Sequence, residues 1–118
     1  SINVRRIGFV CAETVKHGGI AVAANIAPFE EDREYNREKI SAEGHYIEIF
    51  VNTSIKECEN RDVKGLYKLA RQGIIKEFTG ISSRFDIPNN CELILDENKS
   101  IEKNVNIVIS YIKDKGLV

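Results

Sequence analysis

The stretch YIEIFVNTSIKECENRD, residues 46–62, holds a strand and the helix that follows it. YIEIFVNT (46–53) is rich in β-branched and aromatic residues, the composition of a packed, pleated strand. Ser54 stands three residues before Glu57, the spacing of a capping box, so SIKECENRD starts a helix with no intervening loop. A strand running directly into a helix is the building unit of α/β domains, and the flanking sequence repeats it.

Upstream, Val4, Ile7, Gly8, Cys11 and Val15 recur at helical spacing, and Gly18-Gly19 ends that helix. IAVAANI (20–26) is a continuous apolar run closed by Pro28, which predicts a strand buried on both faces of a parallel sheet. FEEDREYNREKISAEG (29–44) is charged and helix-favouring. Downstream, CELILD (91–96) predicts a third strand. Ser100 caps a last helix whose Ile101, Val105, Val108, Ile109 and Ile112 form one apolar stripe, ending at Gly116. The expected class is therefore α/β with a parallel sheet, without internal repeats.

The bulk numbers narrow the function classes. A length of 118 residues suits one domain, and 42% apolar residues suffice for a core. A formal charge of −1 with both signs interspersed argues against a general nucleic-acid binder. No run approaches the ~18 apolar residues of a membrane span, and no signal-peptide pattern opens the chain. A soluble, cytoplasmic protein is expected. Cys11, Cys58 and Cys91 are far apart and form no CxxC pair, which fits reduced thiols. His17 and His45 sit beside glycines at turns, with no metal-ligand spacing to other donors, so no metal is assigned to them.

One segment breaks the charge balance. RDVKGLYKLARQGIIKEFTG (61–80) sets Arg61, Lys64, Lys68, Arg71 and Lys76 against Asp62 and Glu77 alone. If GLYKLARQGII is helical, Lys64, Lys68 and Arg71 share one face, and Leu66, Ala70 and Gly73 share another. Such a helix suits a lid over phosphate or sulfate oxygens, with Phe78 as a flat surface for a base. A solvated helix face followed by a loop explains the same pattern. The position after a strand and helix of a parallel domain favours the lid, since anion sites gather at strand carboxyl ends.

The motifs NVRRIGFV (3–10), IAPFEEDRE (26–34), RDVKGLYKLARQGIIKEFTGI (61–81) and NCELILD (90–96) together resemble the adenylylsulfate (APS) kinase family, in the family's order and over nearly the whole chain. The resemblance implies a P-loop nucleotide-kinase-like fold with three α/β/α layers. It implies ATP-dependent phosphorylation of the 3′-hydroxyl of adenosine 5′-phosphosulfate in sulfate assimilation, with Mg²⁺. Asn3, Ile26, Ala27, Lys64, Glu77 and Phe78 match positions that bind APS in the family. Asn3 would meet the adenosine, Ile26 and Ala27 would contribute backbone groups, Lys64 would face the phosphosulfate, and Phe78 would sandwich the adenine. Arg61 matches the arginine that packs on the adenine of ATP, and Lys68 and Arg71 would help neutralise phosphates. The family also implies a homodimer, and an ATP sulfurylase as a fused or associated neighbour.

Two departures from the family pattern stand out. Ala27 occupies a position where many members carry a phosphorylated serine, so no phosphoenzyme step falls there. There is also no GxxxxGK[ST] run and no Asp-Gly-Asp. Residues 1–118 thus match the C-terminal two-thirds of an APS kinase domain, with the lid at about 61–80. The first strand, the P-loop, the base and the metal ligands are expected before it, so the catalytic residues stay unassigned. In the family the first strand lies between the segments matching 20–26 and 46–53. Its absence should expose apolar side chains, a large share of a domain's stability, and leave the chain alone inactive. A non-catalytic nucleotide-binding domain regulating an ATP sulfurylase is the alternative. Asp32 and Arg33 lie in a family motif, although a helix-surface ion pair explains them equally well. Asp96 ends a strand, where a loop-capping role competes with phosphate chemistry, and Asn52 offers no second metal ligand.

Overall fold

The computed structural model describes Ser1–Val118. Its secondary structure runs α1 (Ile2–Lys16), α2 (Glu30–Ser41), β1 (Ile49–Asn52), α3 (Ile55–Arg61), α4 (Leu66–Arg71), β2 (Leu93–Asp96) and α5 (Ile101–Asp114). The chain divides into two compact units, Ser1–Ile47 with Glu77–Asn89, and Glu48–Lys76 with Asn90–Val118.

The first unit is built on α1 and α2. Ser1 Oγ accepts from the Val4 N–H, and Gly18, with φ of 82°, turns the chain out after the His17 cap. Glu30, Glu31 and Asp32 in the first turn of α2 complement the partial positive charge of a helix N-terminus. The two helices approach closely where Gly8 removes a side chain: a Cβ there would meet Asn36 Oδ1 at 2.0 Å. Val4 and Ile40 are buried, and Asn36 Nδ2 donates to Val4 O at 3.0 Å.

The second unit holds the sheet. β1 and β2 pair in parallel, with Ile49 opposite Leu93 and Asn52 opposite Asp96. Ser54 accepts from the Glu57 N–H at 3.2 Å and starts α3 at once, as the capping spacing predicts. Ser100 caps α5 in the same way through the Lys103 N–H at 3.1 Å, and Gly116 follows the helix with φ of 69°. The apolar stripe of α5 is only partly covered: Ile101 is 85% exposed. Asp96 caps the β2–α5 loop, its Oδ1 accepting from the Asn98 N–H at 2.7 Å.

Two expectations are corrected. Residues 20–26 form no strand, and Val22 is 90% exposed rather than buried on both faces. A strand is held by its ladder, and no segment pairs with this run. The lid helix, expected over 65–75, is the six-residue α4. Gly65 at φ 68° and Gly73 at φ 76° bracket it, and both conformations take the backbone out of the helix. Lys64 therefore lies in the turn before α4, and the three-cation face reduces to Lys68 and Arg71.

Candidate functional site

The expected site residues fall into two groups. Asn3, Ile26, Ala27, Glu77 and Phe78 belong to the first unit, whereas Arg61, Lys64, Lys68 and Arg71 belong to the second.

In the first unit Asn3 is exposed in the opening turn of α1, and Ile26 is 65% exposed. Ala27 is half-buried, and its carbonyl accepts from Arg33 Nη1 at 2.6 Å. Glu77 has a left-handed backbone, φ 53°, which places its peptide groups where few L-residues go. Phe78 is half-buried, and its N–H donates to Ser82 Oγ at 2.7 Å, while Thr79 bridges to Ser83. These contacts close residues 78–83 into a loop.

Asp32 and Arg33 are not a surface pair. Both are buried, and they face different partners. Asp32 Oδ1 accepts from Arg5 Nε at 2.8 Å, and its Oδ2 meets the amino group of Ser1. Arg33 sends Nη2 to Glu30 Oε2 and to the Asp86 carbonyl, both at 2.7 Å. Asp86 answers in kind: its N–H donates to Pro28 O at 2.7 Å, and its Oδ2 accepts from the Glu30 N–H at 2.9 Å. That backbone donor, with the Arg84 guanidinium at 2.9 Å, holds the Asp86 carboxyl below its ordinary range. Sequence reasoning missed this role of Arg33, because its partner loop lies 53 residues away.

In the second unit the cations are less free than their count suggests. Arg61 pairs with Glu57 at 2.8 Å, and Arg71 binds Glu59 through Nη2 at 2.6 Å. Both carboxylates come from α3, outside the segment whose charges looked unbalanced. Asp62, at φ 24°, turns its carboxylate onto the N–H groups of Tyr67 and Lys68 at 2.9 and 3.1 Å. Burial, with Cys58 and nearby carboxylates, pushes the Tyr67 hydroxyl up. Lys64 and Lys68 are exposed. A groove of about 630 Å³ opens beside the carboxyl ends of β1 and β2, with Arg61, Thr53, Asp96, Ser100 and Asn104 on its walls. Strand carboxyl ends are where parallel α/β sheets take their ligands.

Comparison with known proteins places the chain in a family. The family described as Adenylylsulphate kinase matches residues 1–96. The adenylyl-sulfate kinase of Staphylococcus haemolyticus is 44% identical over 98% of this chain and 58% of that protein. Adenylyl-sulfate kinase 3 of Arabidopsis thaliana is also 44% identical, over 98% of this chain and 57% of that protein. The chain thus spans a little over half the length of these relatives. Among solved structures, the Mycobacterium tuberculosis APS kinase in complex with AMPPNP and APS is similar with a TM-score of 0.89 and 35% identity. That likeness covers 94% of this chain and 65% of the other. The fold is α/β with a parallel sheet, of the kind APS kinases have. With most of its length matched in sequence and in fold, the chain belongs to the adenylylsulphate kinase family.

Proposed function

We propose that this chain serves ATP-dependent phosphorylation of APS, contributing the APS-binding surface and the lid. The 3′-oxygen of APS attacks the γ-phosphorus of ATP in line, the bond to the ADP oxygen breaks, and the hydroxyl proton leaves to a base. The products are 3′-phosphoadenylyl sulfate and ADP. Such a transfer depends on positioning and charge stabilisation, which a basic lid supplies. Asn3, Ile26, Ala27, Glu77 and Phe78 would hold the adenosine of APS, Lys64 its phosphosulfate, and Arg61 the adenine of ATP. The observation that carries this reading is the groove at the strand ends with Arg61 on its wall.

Lys68 adds charge to the lid, while Arg71 must first leave Glu59 before it reaches a phosphate. Mg²⁺, which the family implies, finds no cage among this chain's own side chains. No three His, Cys, Asp or Glu groups converge, and Asp96 Oδ1 is engaged by the Asn98 N–H. A homodimer, association with an ATP sulfurylase and a cytoplasmic location belong to the same proposal. No helix is long and apolar enough to cross a membrane.

Calorimetric titration of the purified protein with APS tests the reading, with AMPPNP titrated separately. APS is expected to bind, and Lys64→Ala to weaken it about tenfold or more, as loss of a charged hydrogen bond does. Arg71→Ala is expected to change APS affinity little. Failure of the unmodified protein to bind APS would overturn the proposal.

A further inference from the structure

Arg33 is 6% exposed and reaches three partners at once: the Ala27 carbonyl, the Glu30 carboxylate and the Asp86 carbonyl. Two of these are backbone oxygens on separate segments, 26–30 and 84–86. Asp86 closes the same junction from its side, through Pro28 O and the Glu30 N–H. Arg84 adds an outer layer, pairing with Glu31 at 3.2 Å and standing over the Phe29 ring at 4.7 Å. The clasped segment continues directly from the 78–83 loop that carries Phe78.

We propose that Arg33 is a positioning residue: its guanidinium clasps the Ala27 backbone to the 77–89 segment, fixing Glu77 and Phe78 relative to the Ile26–Ala27 backbone for APS. The APS part rests on the function proposed above; the clasp itself rests on the contacts alone. The fork geometry is what the role requires. Two guanidinium nitrogens in one rigid plane reach two carbonyls on different segments, whereas a lysine presents a single nitrogen. A charge opposite Glu30 would survive Arg33→Lys, but the bridge would not.

The test is hydrogen exchange on the ligand-free protein, followed by APS titration, for Arg33→Lys and for Arg33→Gln, whose shorter amide cannot reach both the Ala27 and the Asp86 carbonyls. Exchange is expected to speed up across 77–89 and at Glu30 while α1 stays protected. APS affinity is expected to fall by about tenfold or more, as misplaced binding groups cause, and AMPPNP affinity to hold. If Arg33→Lys unfolds the whole chain, Arg33→Gln decides. Unchanged exchange in 77–89 in the folded variants overturns the clasp. Faster exchange with APS affinity unchanged overturns the positioning role. If the unmodified protein fails to bind APS while 77–89 opens in the variants, the clasp stands and the function proposed above falls.

Discussion

Arg5 Nε donates to Asp32 Oδ1 over 2.8 Å, and the two ends of this pair sit in different media: the Arg5 side chain is 44% exposed, that of Asp32 3%. Tyr35 lies under the Arg5 guanidinium at 4.3 Å and holds it over the carboxylate. The pair should therefore respond unequally to removal of either partner. Arg5→Ala strands a buried carboxylate without its guanidinium partner. Its cost should approach the roughly 3–5 kcal/mol of breaking a buried pair from one side. Asp32→Asn removes the buried charge and leaves a solvated arginine, at about 1–3 kcal/mol. Urea unfolding midpoints compare the two, and an equal or reversed order would contradict the burial argument.

Gly8 poses a contest between propensity and space. Alanine is favoured over glycine in a helix by about 1 kcal/mol. The added Cβ, however, would come within 2.0 Å of Asn36 Oδ1 and 2.3 Å of its Cγ. No real contact is that short, so Asn36 must move and its bond to Val4 O is lost. Overpacking of this kind costs about 1–3 kcal/mol, which outweighs the propensity gain. Gly8→Ala should lower the unfolding midpoint, and a rise would show that α1 and α2 separate freely.

Much of the fold is legible in the sequence. The helix starts at Ser54 and Ser100 are local signals, since a hydroxyl and an N–H three residues apart need nothing else from the chain. The strands at 46–53 and 91–96 are found in their places, shortened to β1 and β2. The 20–26 run shows the limit: its apolar pattern is right for a strand, but pairing depends on another segment. In segment 61–80 the i, i+4, i+7 cation pattern suggests a longer helix than forms, because Gly65 and Gly73 adopt positive φ at its two ends. Charge balance misled for a spatial reason, because Glu57 and Glu59 meet Arg61 and Arg71 from outside the segment. Buried Arg33 was beyond reach, since nothing local announces that Asp86 closes on it.

Glu77 offers a test of whether its side chain matters. At φ 53° an L-residue bears strain of about 1–2 kcal/mol that glycine avoids. Glycine's greater freedom in the unfolded chain returns about 0.5–1 kcal/mol of that. Glu77→Gly is expected to hold or slightly raise the melting temperature, and to leave APS affinity intact if the backbone alone makes the contact. Glu77→Val at the same φ should lower it. A fall with glycine would mean that the carboxylate holds the loop.

Acid should loosen the Asp86 junction. Its carboxyl is held below the ordinary value of 3.8 by the Glu30 N–H and by Arg84. A carboxylate with a depressed folded pKa contributes stability that is complete above its unfolded pKa and is lost as pH falls through the folded one. The loss is thus expected below about pH 3.8. Asp86→Asn cannot ionise, so its melting temperature should depend less on pH across that window. Parallel pH profiles for the two proteins would show that Asp86 does not hold the junction as a carboxylate.

The Asp62 carboxylate already occupies the Tyr67 and Lys68 amides at the head of α4. An oxyanion arriving at this segment therefore meets no vacant backbone donors at those two positions, and the exposed Lys64 and Lys68 offer it ammonium groups on flexible stems. Recognition of that kind is attraction through solvent rather than a fitted cradle. Its strength follows the ionic atmosphere, which screens exposed charges beyond about 8 Å at physiological salt. Under the proposed function, the hold of this segment on a phosphate should thus fade as electrolyte is added.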